Sequence, residues 1–247
     1  MKFTHSVIAA FIGIFLFVSC KKDNSAGNNL SSVQPKTYTE DITSTNLGNS
    51  VTTYNLTYDA NNRVVSLISA SDPGFKFVYK YNSNNTFTLD LYNNNAVSIH
   101  EIFWIGSNSY VDSTFQYNNT NDTMTEKYIY NSGKQIIQQK QYDYSSSLGS
   151  TLTNTTNYTY DNNGNAISQT DDNGTTTTDY YTDMPNPITL GLIYLPTTKY
   201  LPKTVTYTSG GITESGTHTY TFDSNKRLST DKTVLTTGDI FIKTYTY

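Results

Sequence analysis

Apolar and polar residues alternate with a period of two along most of the chain after residue 36. This period places successive side chains on opposite faces and is typical of half-buried β-strands. Tyr and Thr dominate the alternating segments, and both residue types favour strands. The clearest rows, each on one predicted face, are Phe75-x-Phe77-x-Tyr79-x-Tyr81, Tyr54-x-Leu56-x-Tyr58 and Phe241-x-Lys243-x-Tyr245-x-Tyr247.

A Tyr-x-Tyr pair followed by Asp or Asn recurs along these strands. Polar turn formers come next, and then often a basic or polar residue and an aliphatic one. We interpret each copy as a strand, a tight turn and a return strand. The copies are Tyr58-Asp59, Tyr79-x-Tyr81-Asn82, Tyr128-x-Tyr130-Asn131, Tyr158-x-Tyr160-Asp161 and Tyr220-x-Phe222-Asp223, with looser copies at Phe115-x-Tyr117-Asn118 and Tyr142-x-Tyr144.

Glycine-containing pairs between the strands predict hairpin turns. We expect them to supply the positive φ angles that two-residue turns require. The pairs are Ser132-Gly133, Asn163-Gly164, Asn173-Gly174 and Gly210-Gly211. No segment after residue 36 has helical periodicity. The spacing predicts an all-β antiparallel meander of about 12–16 strands. Because an open sheet of that size twists strongly and exposes two edges, we expect a barrel, a half-barrel or a folded-over sheet.

The segment 184–202 departs from the alternation. It carries four of the six prolines, together with a continuous apolar run from Ile188 to Leu195. Proline is excluded from the middle of a sheet, so this segment is predicted to leave it. We expect a structural crossover that covers a sheet edge or caps the core. The alternative is a lid or plug over one end of the Tyr-lined face.

The repeat resembles the YD repeats of RHS-type proteins. Residues 158–168 are the closest copy, and the segments that begin at Tyr58 and Phe222 are similar. RHS shells are much larger than this chain, and the copies here are irregularly spaced. The chain is more similar to Bacteroidota lipoproteins of this length that carry degenerate YD-like repeats. That resemblance implies a porin-like β fold and assigns no activity.

The first twenty residues predict an export signal. Lys2 precedes an apolar run from Val7 to Val18, which has the length of a signal-peptide core and is short for a membrane-spanning helix. Ser19-Cys20 follows the run, and residues 17–20 resemble a bacterial lipobox with Phe17 in the place of the usual Leu. Cys20 is the only cysteine and therefore has no partner for an internal disulfide. We predict that Cys20 is lipidated.

These features divide the chain into three parts. Residues 1–19 are the predicted lipoprotein signal peptide, 20–36 a flexible polar tether, and 37–247 the β domain. Attachment to the outer membrane follows from lipidation, on either the periplasmic or the surface face. Lys21-Lys22-Asp23 matches an export signal for surface display only loosely. The strand faces lack the aliphatic outer band of a membrane-spanning barrel, so we predict a soluble barrel or curled sheet that the lipid on Cys20 tethers to the membrane.

Composition narrows the function classes. The net charge is −4 and no basic stripe is present, which argues against nucleic-acid partners. With 22 tyrosines and few aliphatic residues, the Tyr rows are expected to form most of the core. Tyr rows exposed at the surface would instead stack on sugar rings.

Candidate catalytic and ligand-binding groups are sparse. His100-Glu101 begins like a zinc-protease helix, but Trp104 occupies the place of the second histidine. Asp171-Asp172-Asn173-Gly174 is better explained as a capped hairpin turn than as a calcium loop. No elbow motif, phosphate loop or dinucleotide motif is present. A carboxylate pair for glycoside hydrolysis remains open, although the sequence singles out no pair.

The sequence therefore predicts a non-enzymatic envelope lipoprotein without a cofactor, a metal site or catalytic residues. It would bind or scaffold, with a glycan or a partner protein as its ligand. The alternatives are a carrier of a small apolar or glycan ligand inside the curled sheet, and a carbohydrate-active enzyme. Asp112-Ser113-Thr114 and Asp122-Thr123-Met124 resemble O-glycosylation signals of exported Bacteroidota proteins, which makes Ser113 and Thr123 candidate modification sites.

Overall fold

The described chain forms one closed antiparallel barrel of 16 strands. The computed structural model describes residues 34–118, 123–145, 149–187 and 198–247. Each strand pairs with its neighbours in sequence, and β1 pairs with β16 to close the ring. Closure removes both sheet edges, and among the three predicted solutions it selects the barrel.

The strand bounds follow the alternation seen in the sequence. They are β1 Thr37–Ser44, β2 Gly48–Tyr58, β3 Val64–Ser69, β4 Lys76–Tyr81, β5 Thr86–Asn93, β6 Ala96–Ile105, β7 Val111–Asn118, β8 Thr123–Tyr130, β9 Ile136–Ser145, β10 Gly149–Tyr160, β11 Ala166–Asp171, β12 Gly174–Pro185, β13 Tyr200–Ser209, β14 Ile212–Phe222, β15 Leu228–Leu235 and β16 Ile240–Thr246.

The two rims of the barrel differ in their connections. Every even-numbered strand ends at the same rim, and the turns that follow the Tyr-x-Tyr copies of these strands all lie there. We call it the Tyr–Asp rim. Pro35, just before β1, and Tyr247, just after β16, also lie at this rim, where Lys36 N–H donates to the Thr246 carbonyl. The chain therefore enters and leaves the barrel at the Tyr–Asp rim.

Aromatic rings pack on the inner side of the wall. One cluster joins Tyr38, Tyr54, Leu56 and Tyr245 with Leu201 and Leu228. A second cluster, on β5 to β7, is built on Phe87, Phe103 and Val111, and the two phenyl rings stack with centroids 4.3 Å apart. The predicted rows on β2, β4 and β16 pack into these clusters, so the Tyr rows supply much of the apolar interior.

The turns of the Tyr–Asp rim share one geometry. In the turn from Asp59 to Arg63, Asp59 N–H donates to the Arg63 carbonyl, and the Asp59 carboxylate accepts the N–H groups of Asn61 and Arg63. The fourth residue has positive φ, 60° at Asn62. The same bonds recur in the turns that begin at Asp161 and Asp223. Acidic and amide side chains thus close these turns locally, as Asx turns do.

Seven tyrosine hydroxyls in the described chain tie the end of one hairpin to the hairpin beside it. A tyrosine at the end of an even strand donates to a backbone carbonyl near the start of the preceding odd strand. Tyr81 reaches Val64 O at 2.8 Å, and Tyr160 reaches Ile136 O at 2.7 Å. We call this set the tyrosine ladder. Its members are Tyr58, Tyr81, Tyr130, Tyr160, Tyr180, Tyr220 and Tyr247.

The ladder explains the arginine that follows two of the turns, at Arg63 and Arg227. The Arg63 guanidinium binds Asp59 at 2.6 Å and lies 4.0 Å above the Tyr81 ring. Arg227 does the same with Asp223 and Tyr247, at 2.6 and 4.3 Å. The arginine therefore joins its own turn to the ladder tyrosine of the next even strand. The sequence repeat therefore supplies the residues that hold the turns of the Tyr–Asp rim together.

Two looser copies of the repeat do not form part of the Tyr–Asp rim. Tyr117 on β7 and Tyr144 on β9 lie on odd strands, which run toward the opposite rim. Both rings project from the outer face and are about half exposed, at 43% and 54%. The match at these positions arises from ordinary strand alternation and not from a turn of the Tyr–Asp rim.

The predicted turn glycines are confirmed only in part. Gly164, Gly210 and Gly211 have positive φ, whereas neither residue of Ser132-Gly133 or Asn173-Gly174 does. Lys134 takes the left-handed position instead of Gly133, with a φ of 65°. Gly174 serves packing, because a Cβ atom there would lie 2.4 Å from the Thr208 carbonyl oxygen.

The Pro-rich segment is shorter than predicted. β12 extends to Pro185 and β13 includes Pro202, which pairs with Tyr180 at a register shift. A bulge accommodates a residue without an N–H group, and this is why proline is tolerated inside β13. Asn186 N–H bonds the Lys199 carbonyl at the base of the loop. The whole apolar run Ile188–Leu195 lies outside the described residues, and so does the choice between crossover and lid.

Candidate functional site on the inner wall

Charged side chains are sorted by sign between the two faces of the barrel. On regular strand positions, the lysines of β4, β8, β9 and β15 point outward. Most carboxylates point inward, and Lys243 is the one inward lysine among the regular strand positions of the described residues. The inward acids are Glu40, Glu101, Glu126, Asp143, Asp171, Glu214 and Asp231. The interior is therefore acidic.

One part of this interior, on β14, β15, β16 and β1, has its charges balanced. We call it the paired wall. Lys243 lies directly between Asp231 on β15 and Glu40 on β1 in the strand register. Burial lowers the pKa of Lys243 to about 8, although both carboxylates favour its charged form. Glu40 also accepts a hydrogen bond from the Tyr38 hydroxyl.

A histidine completes the paired wall. His218 is fully buried, and its Nδ1 lies 3.0 Å from Asp231 Oδ1 and 3.1 Å from Thr233 Oγ1. The Tyr220 ring stacks on the imidazole with centroids 6.1 Å apart. Asp231 is thus held by a histidine on one side and faces a lysine on the other. This arrangement is a packed polar network in which the inward acids lie beside a lysine and a histidine of the chain.

Half a ring away, β6, β7 and β8 carry acids with no inward cation beside them in the described part of the barrel. We call this the acid wall. Glu101 on β6 is directly opposite Gln116 on β7, and Glu126 on β8 is directly opposite Thr114. The two carboxylates are therefore diagonal neighbours across β7. Both carboxylates are part-buried.

The electrostatics of the acid wall are governed by burial and by the neighbouring carboxylates. Burial and the nearby Glu126 charge raise the pKa of Glu101 to about 7, although the Thr114 hydroxyl nearby favours the ionised form. Glu126 accepts a hydrogen bond from the Tyr128 hydroxyl at 2.5 Å. Burial also raises the pKa of Tyr79 and of Tyr128, and adjacent glutamates add to the effect. Glu101 therefore titrates near neutral pH, as poised site residues do.

Polar side chains extend the acid wall onto β9 and β10. Gln141 on β9 faces Glu126, and Gln139 faces Tyr128. The Tyr158 hydroxyl donates to Gln139 Oε1 at 2.8 Å. Amide, phenol and carboxylate groups thus share one inward surface. Such groups form hydrogen bonds with polar ligands, whereas an apolar ligand would leave them unsatisfied.

The histidine that the sequence placed on a strand face lies on the outer face of β6. His100 Nδ1 contacts the Asp90 carboxylate, and its ring packs against Tyr117 at 4.9 Å. Its neighbour Glu101 points to the opposite side. His100-Glu101 is consequently not a zinc-binding pair, and the described residues contain no group of three His, Cys, Asp or Glu side chains arranged for a metal.

The acidic turn after β11 is a capped hairpin, as expected. Asp171 Oδ1 accepts the N–H groups of Asn173 and Gly174 at 2.7 and 3.0 Å. The two candidate O-glycosylation sites both lie on the outer face. Ser113 donates to Asp112 at 3.0 Å, and the Thr123 hydroxyl is covered between Tyr117 and Tyr144 in the cross-strand register. Cys20 lies outside the described residues.

The acid wall was missed in the sequence, although a signal for it is present. Ile99, Glu101, Phe103 and Ile105 alternate along β6, so Glu101 occupies an apolar face. His100, the more conspicuous residue, lies on the other face. Glu126 is 25 residues away, and only the register across β7 brings the two carboxylates together.

The fold and the inner wall define a closed 16-strand barrel with an acidic, tyrosine-lined interior. No helix among the described residues has the length and apolar character needed to cross a membrane. No family model matches the sequence, and no curated protein does.

Solved structures share the fold. A porin-like protein from Bacteroides uniformis is similar with a TM-score of 0.64 and 12% identity, covering 86% of this chain and 97% of that one. A porin-like protein from Bacteroides vulgatus is similar with a TM-score of 0.59 and 13% identity, covering 87% and 98%. These similarities establish the all-β barrel fold.

Proposed function

We propose that this protein is a non-enzymatic barrel of the bacterial cell envelope that binds a polar ligand against the acid wall. The observation that carries the proposal is the asymmetry of the interior. The paired wall satisfies its own charges, whereas the acid wall presents carboxylates, amides and phenols with no inward cation among the described residues. The fold shared with porin-like proteins of Bacteroides agrees with an envelope location.

We further propose that lipid on Cys20 attaches the barrel to the outer membrane. Residues 20–36 would then form the tether, and the chain enters the barrel at the Tyr–Asp rim. That rim would face the membrane, and the rim with the turns after odd strands would face away. Acyl chains contribute about 0.8 kcal/mol per buried methylene, so a multiply acylated cysteine retains a protein without a spanning segment.

Membrane attachment is tested with Cys20→Ala in the full chain. Metabolic labelling with a fatty-acid analogue should mark the wild type and leave the variant unmarked. The variant should also leave the membrane fraction. Ser19→Ala keeps the cysteine and serves as the matched control. Equal labelling and fractionation of Cys20→Ala would remove the anchor from the proposal.

Ligand binding is tested with the detergent-solubilised full chain on a glycan array and in a pull-down from envelope extract. Binding that Glu101→Gln or Glu126→Gln weakens would support the acid wall as the site. Binding that neither substitution changes would place the ligand elsewhere and contradict the proposed site.

A carbohydrate-active enzyme is the second candidate, and the acid wall is the observation that favours it. Glycosidases use two carboxyl groups, one of which has a raised pKa and acts as the acid. Glu101 and Glu126 would be that pair. Release of nitrophenol from a panel of nitrophenyl glycosides, abolished by Glu101→Gln, would establish an enzyme and overturn the non-enzymatic proposal.

A further inference from the structure

One buried hydroxyl group of the acid wall, that of Thr114, lies beside the Glu101 carboxylate. Thr114 is completely buried, and its Oγ1 makes no hydrogen bond of normal geometry. Thr114 faces inward, because its partners in the register are Phe103, a core residue, and Glu126. A buried hydroxyl that lacks a well-formed hydrogen bond costs up to about 1–3 kcal/mol, so such groups are normally satisfied by protein, water or ligand.

The side chains of Glu101, Thr114 and Glu126 form one group of oxygen atoms across three strands. Glu126 is directly opposite Thr114, and Glu101 is near enough that the Thr114 hydroxyl favours its charged form. Tyr79 and Tyr128 flank the carboxylates and are close enough to sense their charges. The element that this group lacks is a hydrogen-bond donor with positive charge.

We propose that Glu101, Thr114 and Glu126 form a binding site for a protonated amine on the inner wall of the barrel. An ammonium group has three donors and no acceptor, which matches two carboxylates and a hydroxyl. The neighbouring phenol rings suit it as well, since ring faces attract cations within about 6 Å. This inference rests on the proposed function and names the chemical class of its ligand.

The geometry favours an amine over a hard metal ion. Calcium takes about 6–8 oxygen ligands and prefers several carboxylates or carbonyls. The acid wall offers two carboxylates, and no group of three acidic or histidine side chains suited to a metal exists among the described residues. An ammonium group needs fewer ligands.

The paired wall offers an internal comparison. There Lys243 places its own amine between Asp231 and Glu40, in a cross-strand arrangement like the one that the acid wall leaves without a cation. The barrel thus shows on one side how its acids accommodate an ammonium group. On the other side the amine would come from a ligand.

The test compares two probes that differ only in the amine. The full chain in detergent is titrated by calorimetry with D-glucosamine and with D-glucose at pH 7.5. Glucosamine should bind, and glucose should bind at least tenfold more weakly or not at all. Equal binding of both sugars would overturn the amine site and leave the proposed polar-ligand function standing. Failure of both sugars here and of the glycan screen would overturn the two proposals together.

Three variants assign the binding to the acid wall. Glu101→Gln and Glu126→Gln should each weaken glucosamine binding at least tenfold, and Thr114→Val should weaken it about five- to tenfold. Glu214→Gln, an inward acid near the other rim, should leave it unchanged. Unchanged binding in both glutamine variants would overturn the site.

Two further measurements separate an amine site from a metal site and from a loss of folding. Calcium and magnesium chloride at millimolar concentration should not compete with glucosamine, and competition that depends on Glu126 would replace the amine by a metal. The far-UV circular dichroism and melting temperature of each variant should match those of the wild type. A variant that unfolds is replaced by its Asp counterpart, Glu101→Asp or Glu126→Asp, in which a shorter carboxylate should weaken binding without abolishing it.

Discussion

The paired wall and the acid wall lie half a ring apart, and they differ in how their inward carboxylates are balanced. Both place carboxylates on the inward side of strands that are otherwise lined by aromatic rings. On β14, β15, β16 and β1 the chain supplies a lysine and a histidine to hold them. On β6 to β8 the histidine and the lysine point outward, and burial, together with the nearby Glu126 charge, raises the pKa of Glu101. The comparison teaches that the interior acids of one barrel divide into those that inward cations of the chain balance and those that no inward cation of the described residues balances.

The largest expected effect is on the paired wall. Asp231→Ala should lower the free energy of unfolding by about 3–5 kcal/mol, because it leaves the buried Lys243 and His218 without their shared carboxylate. Glu126→Gln on the acid wall, which removes a charge that no inward cation balances, should be neutral or stabilising. Urea denaturation of both variants measures the difference, and similar losses would abolish the distinction between the walls.

The next effect is a pH dependence confined to the acid wall. The pKa of Glu101 is about 7 in the folded protein, above its ordinary value, so the folded state binds the extra proton between about pH 4.5 and 7. Stability should therefore fall as pH rises through this window, by at most about 1.4 kcal/mol per pH unit. Glu101→Gln should remove that contribution. An unchanged pH profile in the variant would show that other groups, such as Glu126, set it.

On the paired wall, Lys243 should make stability change with pH in the opposite direction. Its folded pKa of about 8 lies below its ordinary value, so the unfolded chain binds more protons between about pH 8 and 10.5. The contribution of Lys243 should make stability rise with pH across that range. Lys243→Met should remove this rise, measured by denaturation at several alkaline pH values. A steeper rise in the variant would assign the effect to a different group.

Substitutions in the tyrosine ladder should have a smaller effect on stability, and the effect should be equal beside both walls. Tyr220 donates to Pro202 O at 2.8 Å beside the paired wall, and Tyr160 donates to Ile136 O at 2.7 Å on the other side of the ring. Tyr220→Phe and Tyr160→Phe should each cost about 1 kcal/mol. Clearly unequal losses would mean that the walls differ in their frame as well as in their charges.

The smallest expected change in stability is for an inward acid that lies near the rim and not deep in the barrel. Glu214 points inward near the rim and accepts a bond from Thr237. Glu214→Gln should change stability by less than about 0.5 kcal/mol, since substitutions at solvated positions rarely do more. A larger loss, measured by the same urea denaturation, would extend the paired wall to the rim.

Much of this architecture follows from local pattern. Alternation along residues 75–81 predicts β4 and its inward aromatic face, and the Tyr-x-Tyr-Asp copies predict hairpins whose turns the structure shows in atomic detail. The closure of the sheet into a barrel could not be predicted from local pattern, because the pairing of β1 with β16 joins residues more than 190 positions apart. The bulges beside the Tyr–Asp turns also escaped, since they change face without changing composition.

The acid wall escaped for a related reason. Periodicity assigns Glu101 to a face, but only cross-strand register shows that Glu126 and not a lysine lies beside it. On the paired wall the sequence row Phe241-x-Lys243-x-Tyr245 already placed an amine on an aromatic face, and its partners had to come from β15 and β1.

The seam between β1 and β16 has a consequence for how the protein reaches its final state. The first strand to emerge must keep a bare edge until the last one arrives, since its second neighbour is the most distant segment in sequence. Such long-range pairing is slow, and an exposed edge invites association with other chains. We therefore expect Thr37–Ser44 to be the segment most prone to association with other chains until β16 has formed.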